Sequence, residues 1–306
     1  MKTGTILDTI GSTPLVEITK LNTNPNVKIL AKIEGSNPTG SIKDRISLAM
    51  IEYAEKTGQL TKGKTIIEAT SGNTGIGIAM VAAIKGYKAI IVMPESMSEE
   101  RRKMIKAFGA QLLLVKPEMW RDGATAMIKE MAANDKKLVL LNQFDNEQNC
   151  LAHYRTTGKE ILKQVSGTID YFIAGLGTGG TITGISRRLR QKNPDLRVVG
   201  IQPYLGEKIE GLRSVKSGKI PKILEPCLPC RDHKGSLIDI VIDIHEDDAF
   251  KTTRRLAQEE GIFVGASSGA AMYAALKYAK KIDKGTIVTL FPDRGEKYLS
   301  TPIFEA

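Results

Sequence analysis

Short apolar runs alternate with segments of helical period along most of the chain. Lys64-Thr65-Ile66-Ile67-Glu68-Ala69 leads through a glycine-punctuated turn into a helix-like stretch at 76–85. Lys88-Ala89-Ile90-Ile91-Val92-Met93 precedes a helix start at Ser98-Glu99-Glu100-Arg101, where a serine N-cap followed by acids suits the positive end of a helix dipole. Strand-like runs continue at 111–115, 139–141, 171–174, 197–201 and 286–290, and helical patterns at 122–133, 153–164, 181–192, 247–260 and 267–280. Continuous apolar strands between helices predict parallel sheets covered on both faces. The stretch from about 206 to 236, rich in Gly, Pro and Lys, reads as an irregular surface connection. No repeat or disordered linker divides the chain, and two or more α/β sheets with a cleft between them is the expected architecture.

Composition narrows the class. Of 306 residues, 42% are hydrophobic and 25% charged, which suits a globular protein with a substantial core. The net charge of +10 raises the question of a nucleic-acid partner. The cations are interleaved with acids, however, and Arg101-Arg102-Lys103 and Arg187-Arg188-Leu189-Arg190 read as exposed helix faces, so no nucleic-acid partner is expected. Attraction of small anionic substrates is the functional alternative. There is no charged-then-apolar leader, no run long enough to cross a bilayer, and three cysteines are too few for a disulfide framework; the expectation is a reducing cytoplasm and no membrane partner.

Three glycine-rich turns fall where a strand hands over to a helix, the position of ligand crevices in open α/β sheets. Thr70-Ser71-Gly72-Asn73-Thr74-Gly75 offers N–H groups and hydroxyls for a carboxylate or phosphate, or simply a capped tight turn. Gly175-Leu176-Gly177-Thr178-Gly179-Gly180-Thr181 is a phosphate cradle that matches neither the P-loop, lacking its lysine, nor the dinucleotide fingerprint; it suits one phosphate better than a pyrophosphate. Gly265-Ala266-Ser267-Ser268-Gly269-Ala270, taken alone, reads as an N-cap. Lys43, in Asn37-Pro38-Thr39-Gly40-Ser41-Ile42-Lys43-Asp44-Arg45, stands just inside a helix start, where the dipole lowers its pKa and favours the neutral amine that attacks aldehydes; an ordinary surface lysine is the alternative.

Together, Ser41-Ile42-Lys43-Asp44-Arg45, Thr70 to Gly75, Gly177-Thr178-Gly179-Gly180-Thr181 and Ser267-Ser268-Gly269 resemble the cysteine synthase family, within the fold-type II (tryptophan-synthase β-like) pyridoxal-phosphate enzymes. The resemblance runs from Ile10-Gly11-Ser12-Thr13-Pro14-Leu15 to Lys297-Tyr298-Leu299-Ser300-Thr301. It implies two open, twisted, mainly parallel sheets flanked by helices, with the active site in the cleft between domains. Residues 1–38 and 148–306 would form a large domain carrying the phosphate loop and Ser267, and 39–147 a smaller mobile domain carrying the Asn73 loop. It also implies pyridoxal 5′-phosphate as cofactor and a homodimer.

Residue by residue, the resemblance implies that Lys43 holds the cofactor as a Schiff base and serves as acid-base group at the substrate's Cα. Asn73 bonds the cofactor's 3′-hydroxyl; Gly177, Thr178, Gly179, Gly180 and Thr181 bind its phosphate; Ser267 faces the pyridine nitrogen. Thr70, Ser71, Gly72, Thr74 and Gln143 hold the substrate's α-carboxylate. A neutral serine at the ring nitrogen makes a weaker electron sink than a carboxylate, which suits elimination to an aminoacrylate and addition of a sulfur nucleophile over transamination.

Gln202-Pro203, Ile209-Glu210-Gly211-Leu212-Arg213, Ser98 to Arg102 and Phe291 to Ser300 resemble the B-type branch, whose roomier site is taken to admit thiosulfate. Arg213 is the candidate contact for an anionic donor or acceptor, with a surface arginine as the alternative. Pro292 departs from that branch, which has cysteine there, and counts against thiosulfate. The implied reaction is β-replacement on O-acetylserine with sulfide, giving L-cysteine, or with thiosulfate, giving S-sulfocysteine; O-phosphoserine sulfhydrylase and cystathionine β-synthase-like chemistry are the alternatives. Glu225 to His233 looks like an insertion in which Cys227, Cys230 and His233 have metal or redox spacing but no fourth ligand, so no metal is expected. Cys150 reads as a small buried residue. A dinucleotide oxidoreductase and a non-catalytic regulatory subunit are the competing classes.

Overall fold

The computed structural model describes residues 4–120, 122–216, 220–224 and 236–305. Two sheets organise them. The larger has six strands in the order β1 (Leu15–Glu17), β2 (Val27–Ile33), β10 (Gly285–Phe291), β7 (Tyr171–Gly175), β8 (Arg197–Pro203) and β9 (Ile240–Ile244); all neighbours are parallel except β1 and β2. The smaller has four parallel strands, β5 (Gln111–Val115), β4 (Lys88–Pro94), β3 (Thr65–Ala69) and β6 (Leu138–Leu140).

Consecutive apolar residues along these strands are explained by helices on both faces. In β3, Ile66 faces the core formed with α1 (Lys43–Lys56), α2 (Asn73–Lys85) and α3 (Glu99–Ala107), while Ile67 faces α4 (Asp122–Asn134). In β7, Phe172 packs toward α6 (Thr157–Gln164) and α7 (Gly180–Arg190), and Ile173 toward α8 (Glu246–Glu260) and α9 (Ala266–Ala279). A strand buried on both sides loses the polar alternation of a half-exposed one. The helix α5 (Glu147–Arg155) packs on both α7 and α1, joining the elements of the two sheets.

Three local expectations are corrected. The helical pattern at 153–164 is two helices broken at Thr156, whose hydroxyl turns back to Ala152 O (2.7 Å), and the first begins at Glu147, capped by the Asn146 side chain. Ser98 stands at the N-cap of α3, yet its hydroxyl donates to Lys297 O (2.9 Å) instead of capping. Arg101 does not lie on an exposed face: it is 3% exposed. Beside it Lys103 is exposed and Arg102 half-buried; in the second run Arg187 is exposed, Arg188 and Arg190 are half-buried, and Leu189 is buried. Cys150 is buried, whereas Cys227, Cys230 and His233 lie outside the described residues.

Candidate active site

The carboxyl ends of β3 and β7 open onto one cavity of about 390 Å³, within the size range of small-molecule sites. The turn before α1 is pinned to the chain leaving β10. Ile42 N–H donates to Pro292 O (2.8 Å), Arg294 N–H to Gly40 O (3.2 Å), and Ser41 bridges Asp293. Ser41 Oγ accepts the Lys43 N–H (3.1 Å), and Asp44 accepts from Thr39 N–H (2.7 Å) and the Thr39 hydroxyl, placing a carboxylate at the positive end of α1. Lys43 therefore enters the cavity from a fixed base. Its pKa is lowered, as the sequence suggests, but the principal cause is burial, with the carboxylates of Asp293 and Glu34 pulling the other way.

Asn73, the first residue of α2, is tied by both ends of its amide. Its Nδ2 donates to Asp293 Oδ2 (2.7 Å), and its Oδ1 accepts from Lys297 Nζ (2.9 Å). Tyr298 OH donates to the same Asp293 oxygen (2.7 Å), and Lys297 Nζ also reaches Gly40 O (3.2 Å). Burial brings the Lys297 amine down to about 8 and pushes the Tyr298 phenol well above its usual value. Arg101 stacks over the Tyr298 ring (4.5 Å) and pairs with Glu210 (2.6 Å).

The turn after β7 is built by close approach. A Cβ on Gly177 would stand 2.6 Å from Gly211 O, and one on Gly180 would overlap the Asn149 amide. Gly179 adopts φ +88° at the N-cap of α7. Glycine alone admits all three approaches. Asn149 Nδ2 donates to Thr178 Oγ1 (3.0 Å) and to Gln143 O (2.7 Å), so it links this turn to the other wall. The leading N–H groups of a helix have no intrahelical acceptor; here Gly180 N–H donates to Thr178 Oγ1 (3.4 Å), and Gly177, Thr178, Gly179 and Thr181 line the cavity beside the start of α7.

On the opposing wall, Thr70 Oγ1 accepts the Gly72 N–H (3.2 Å), Ser71 is exposed, and Gly72, not a serine or threonine, caps α2. Thr74 Oγ1 donates to Gln143 Oε1 (2.7 Å), and Gln143 Nε2 donates to Ala69 O (3.2 Å). Behind Gln143 lies Glu68, 1% exposed, whose carboxylate accepts N–H bonds from Asn142 (2.8 Å) and Gln143 (3.4 Å); burial raises its pKa to about 7. Ser267 lies within the first turn of α9, which Gly265 caps, and lines the cavity. Arg213 lines the cavity, its guanidinium 4.3 Å from the centre of the Phe144 ring.

The cavity thus gathers Lys43, Thr70, Ser71, Asn73, Thr74, Gln143, Gly177, Thr178, Gly179, Thr181, Ser267 and Arg213. Gly72 and Gly180 stand immediately behind it as the cap residue of α2 and the first residue of α7. Asp293, Tyr298, Arg101, Asn149 and Glu68 were not singled out as site residues from the sequence. One signal was available: Glu68 is the one charged residue of β3, directly ahead of a glycine-rich turn.

These residues fit pyridoxal phosphate: a helix terminus crowded to the backbone suits one phosphate, and an amine with a lowered pKa shares its cavity. The model of the pyridoxal-phosphate dependent enzyme family matches residues 6–293. Cysteine synthase B of Escherichia coli is 45% identical over 300 residues, covering 98% of this chain and 96% of that protein. A hydrogen sulfide-producing enzyme from Fusobacterium nucleatum is 42% identical and superposes with a TM-score of 0.89, over 97% of this chain and 100% of that one. An O-acetylserine sulfhydrylase from Entamoeba histolytica is 38% identical with a TM-score of 0.88, over 100% and 92%.

Proposed function

The chain belongs to the pyridoxal-phosphate dependent enzymes, and from that premise we propose that it makes L-cysteine by β-replacement on O-acetylserine with sulfide. Its cofactor is pyridoxal 5′-phosphate. The observation that carries the reading is the Lys43 amine, depressed by burial, on the wall of the cavity that holds the Gly177–Thr181 turn.

Bound there, the cofactor supplies an aldehyde for condensation with amines and a ring that withdraws electrons from the substrate's Cα. Lys43 would hold the aldehyde and then carry the Cα proton; burial lowers its pKa and so favours the neutral amine. Gly177, Thr178, Gly179, Gly180 and Thr181 would hold the phosphate. Asn73 keeps a second amide hydrogen for the 3′-oxygen, since only one is engaged by Asp293. Ser267 would meet the ring nitrogen with a neutral hydroxyl, which limits the electron sink and favours loss of a β-leaving group. Thr70, Ser71, Gly72, Thr74 and Gln143 would take the α-carboxylate, with closure of the smaller domain, 39–147, over the larger. Arg213, on the cavity wall, would meet an anionic donor or acceptor.

A homodimer in the cytoplasm, with neither nucleic acid nor membrane as partner, completes the proposal. Among the described residues no helix is long and apolar enough to cross a membrane.

The test is direct. Purified protein loaded with cofactor should yield a borohydride-reduced adduct that maps to Lys43, and cysteine should form from O-acetylserine and sulfide. O-phosphoserine, thiosulfate and homocysteine, run in parallel, settle donor and acceptor. An adduct on another lysine, or no product with any activated serine, refutes the reading.

A further inference from the structure

Glu68 has no place in the chemistry described above, yet it is buried at the end of β3, where the strand turns into the Thr70–Gly75 loop. Burying a carboxylate is unfavourable unless it is bonded. Its bonds come from the backbone of a different segment, the turn that follows β6: Asn142 N–H at 2.8 Å and Gln143 N–H at 3.4 Å. That turn is itself unusual. Asn142 has φ +54°, one of two non-glycine residues among those described with positive φ, a conformation that L-residues adopt at some cost and asparagine tolerates best.

The consequence falls on Gln143. With its backbone fixed by Glu68, its side chain spans Ala69 O (3.2 Å) and Thr74 Oγ1 (2.7 Å), and its carbonyl accepts from Asn149 (2.7 Å). We propose that Glu68 is a positioning residue for amino-acid binding: its carboxylate clamps the 142–143 turn in a left-handed bend and so presents the Gln143 amide to the substrate's carboxylate. This deepens the functional reading above and rests on it. Glu68 touches neither substrate nor cofactor in this scheme; it acts through Gln143.

The experiment is Glu68→Gln in the holoenzyme, which keeps the shape and removes the charge. The KM for O-acetylserine should rise roughly tenfold, the loss of about one charge-assisted hydrogen bond. The kcat, the KM for sulfide and the cofactor's absorbance and affinity should stay within about twofold of wild type. Amide hydrogen exchange at Asn142 and Gln143 should quicken. Adding Asn142→Gly, which frees the bend from its left-handed cost, should restore part of the KM. Should Glu68→Gln fail to fold, Glu68→Asp, which withdraws the carboxylate by one methylene, is read on the same quantities.

Wild-type KM with wild-type exchange overturns the proposal, as does a fall in melting temperature with no selective change in the amino-acid KM. A wild-type chain that takes up cofactor and shows no saturable response to O-acetylserine or O-phosphoserine overturns the functional reading first, and this inference with it.

Discussion

The two walls of the cleft are held by different physics. On the β7 side the turn is fixed by contact: Gly177 lies against Gly211 O, Gly180 against Asn149, and Gly179 under Leu224, so backbone and close-packed atoms leave no room for adjustment. On the β3 side Gly72 and Gly75 are crowded by side chains, those of Arg101, Ile91 and Thr70, and side-chain hydrogen bonds complete the fixing: Thr74 to Gln143, Gln143 to Ala69, and the 142–143 backbone to Glu68. Packing defines a shape that changes only by strain, whereas hydrogen bonds can be exchanged for others at small net change in free energy. The first suits a group that stays bound, the second a ligand that enters and leaves. Asn149, donating to both Thr178 and Gln143, is where the two regimes meet.

The largest loss is expected at the centre of the cleft. Lys43→Ala removes the amine that shares one cavity with both walls, and kcat should fall by at least about a thousandfold, read with saturating O-acetylserine. On the packed wall, Gly180→Ala should displace Asn149 and the start of α7. Cofactor affinity, followed by absorbance on dilution, should drop by roughly a hundredfold, with about 1–3 kcal/mol lost from denaturant stability. A wild-type affinity in that variant would show that the turn yields more easily than its contacts suggest.

The layered fold was legible because double-sided burial writes continuous apolar runs, as Ile66 and Ile67 show by facing opposite cores. The glycine turns were legible because close approach restricts residue type. Arg101 was not. Charge beside Arg102 and Lys103 reads as a wet face, and only the fold brings Glu210 and Tyr298 around it. Asp293 and Lys297 were hidden for the same reason, since their partner Asn73 lies more than two hundred positions away in the chain. The break at Thr156 escaped because a helix pattern carries no sign of a hydroxyl turning back on its own backbone.

Acid titration has a milder effect. Glu68, raised by burial to about 7, is protonated in the folded state below that pH, while in the unfolded chain it ionises near 4.5. The fold is therefore relatively most stable on this account below pH 4.5 and loses the contribution as pH rises from 4.5 to 7, a change of a few kcal/mol at most. Glu160 behaves oppositely. It is set against Arg45 (2.6 Å) and Lys32 (2.8 Å) and lowered to about 2. Although burial opposes the shift, these hydrogen bonds and charges prevail, so its contribution is present above pH 4.5 and lost as pH falls toward 2. Denaturant melts of wild type and Glu68→Gln at pH 4.5 and pH 7.5 should show the variant losing less stability across that interval.

The smallest effect is expected where the hydrogen-bonded wall should be most forgiving. Thr74→Val keeps shape and volume and removes one donor, leaving Gln143 Oε1 without its 2.7 Å partner. In a sealed core that would cost the full desolvation of the oxygen. Gln143, however, lines the cavity, where water can take the place of the hydroxyl. The KM for O-acetylserine should therefore rise only about three- to fivefold, close to 1 kcal/mol, with cofactor affinity unchanged. A Thr74→Val enzyme that loses cofactor as Gly180→Ala does would mean that both walls are fixed in the same way, and that Asn149 transmits strain between them instead of separating two regimes.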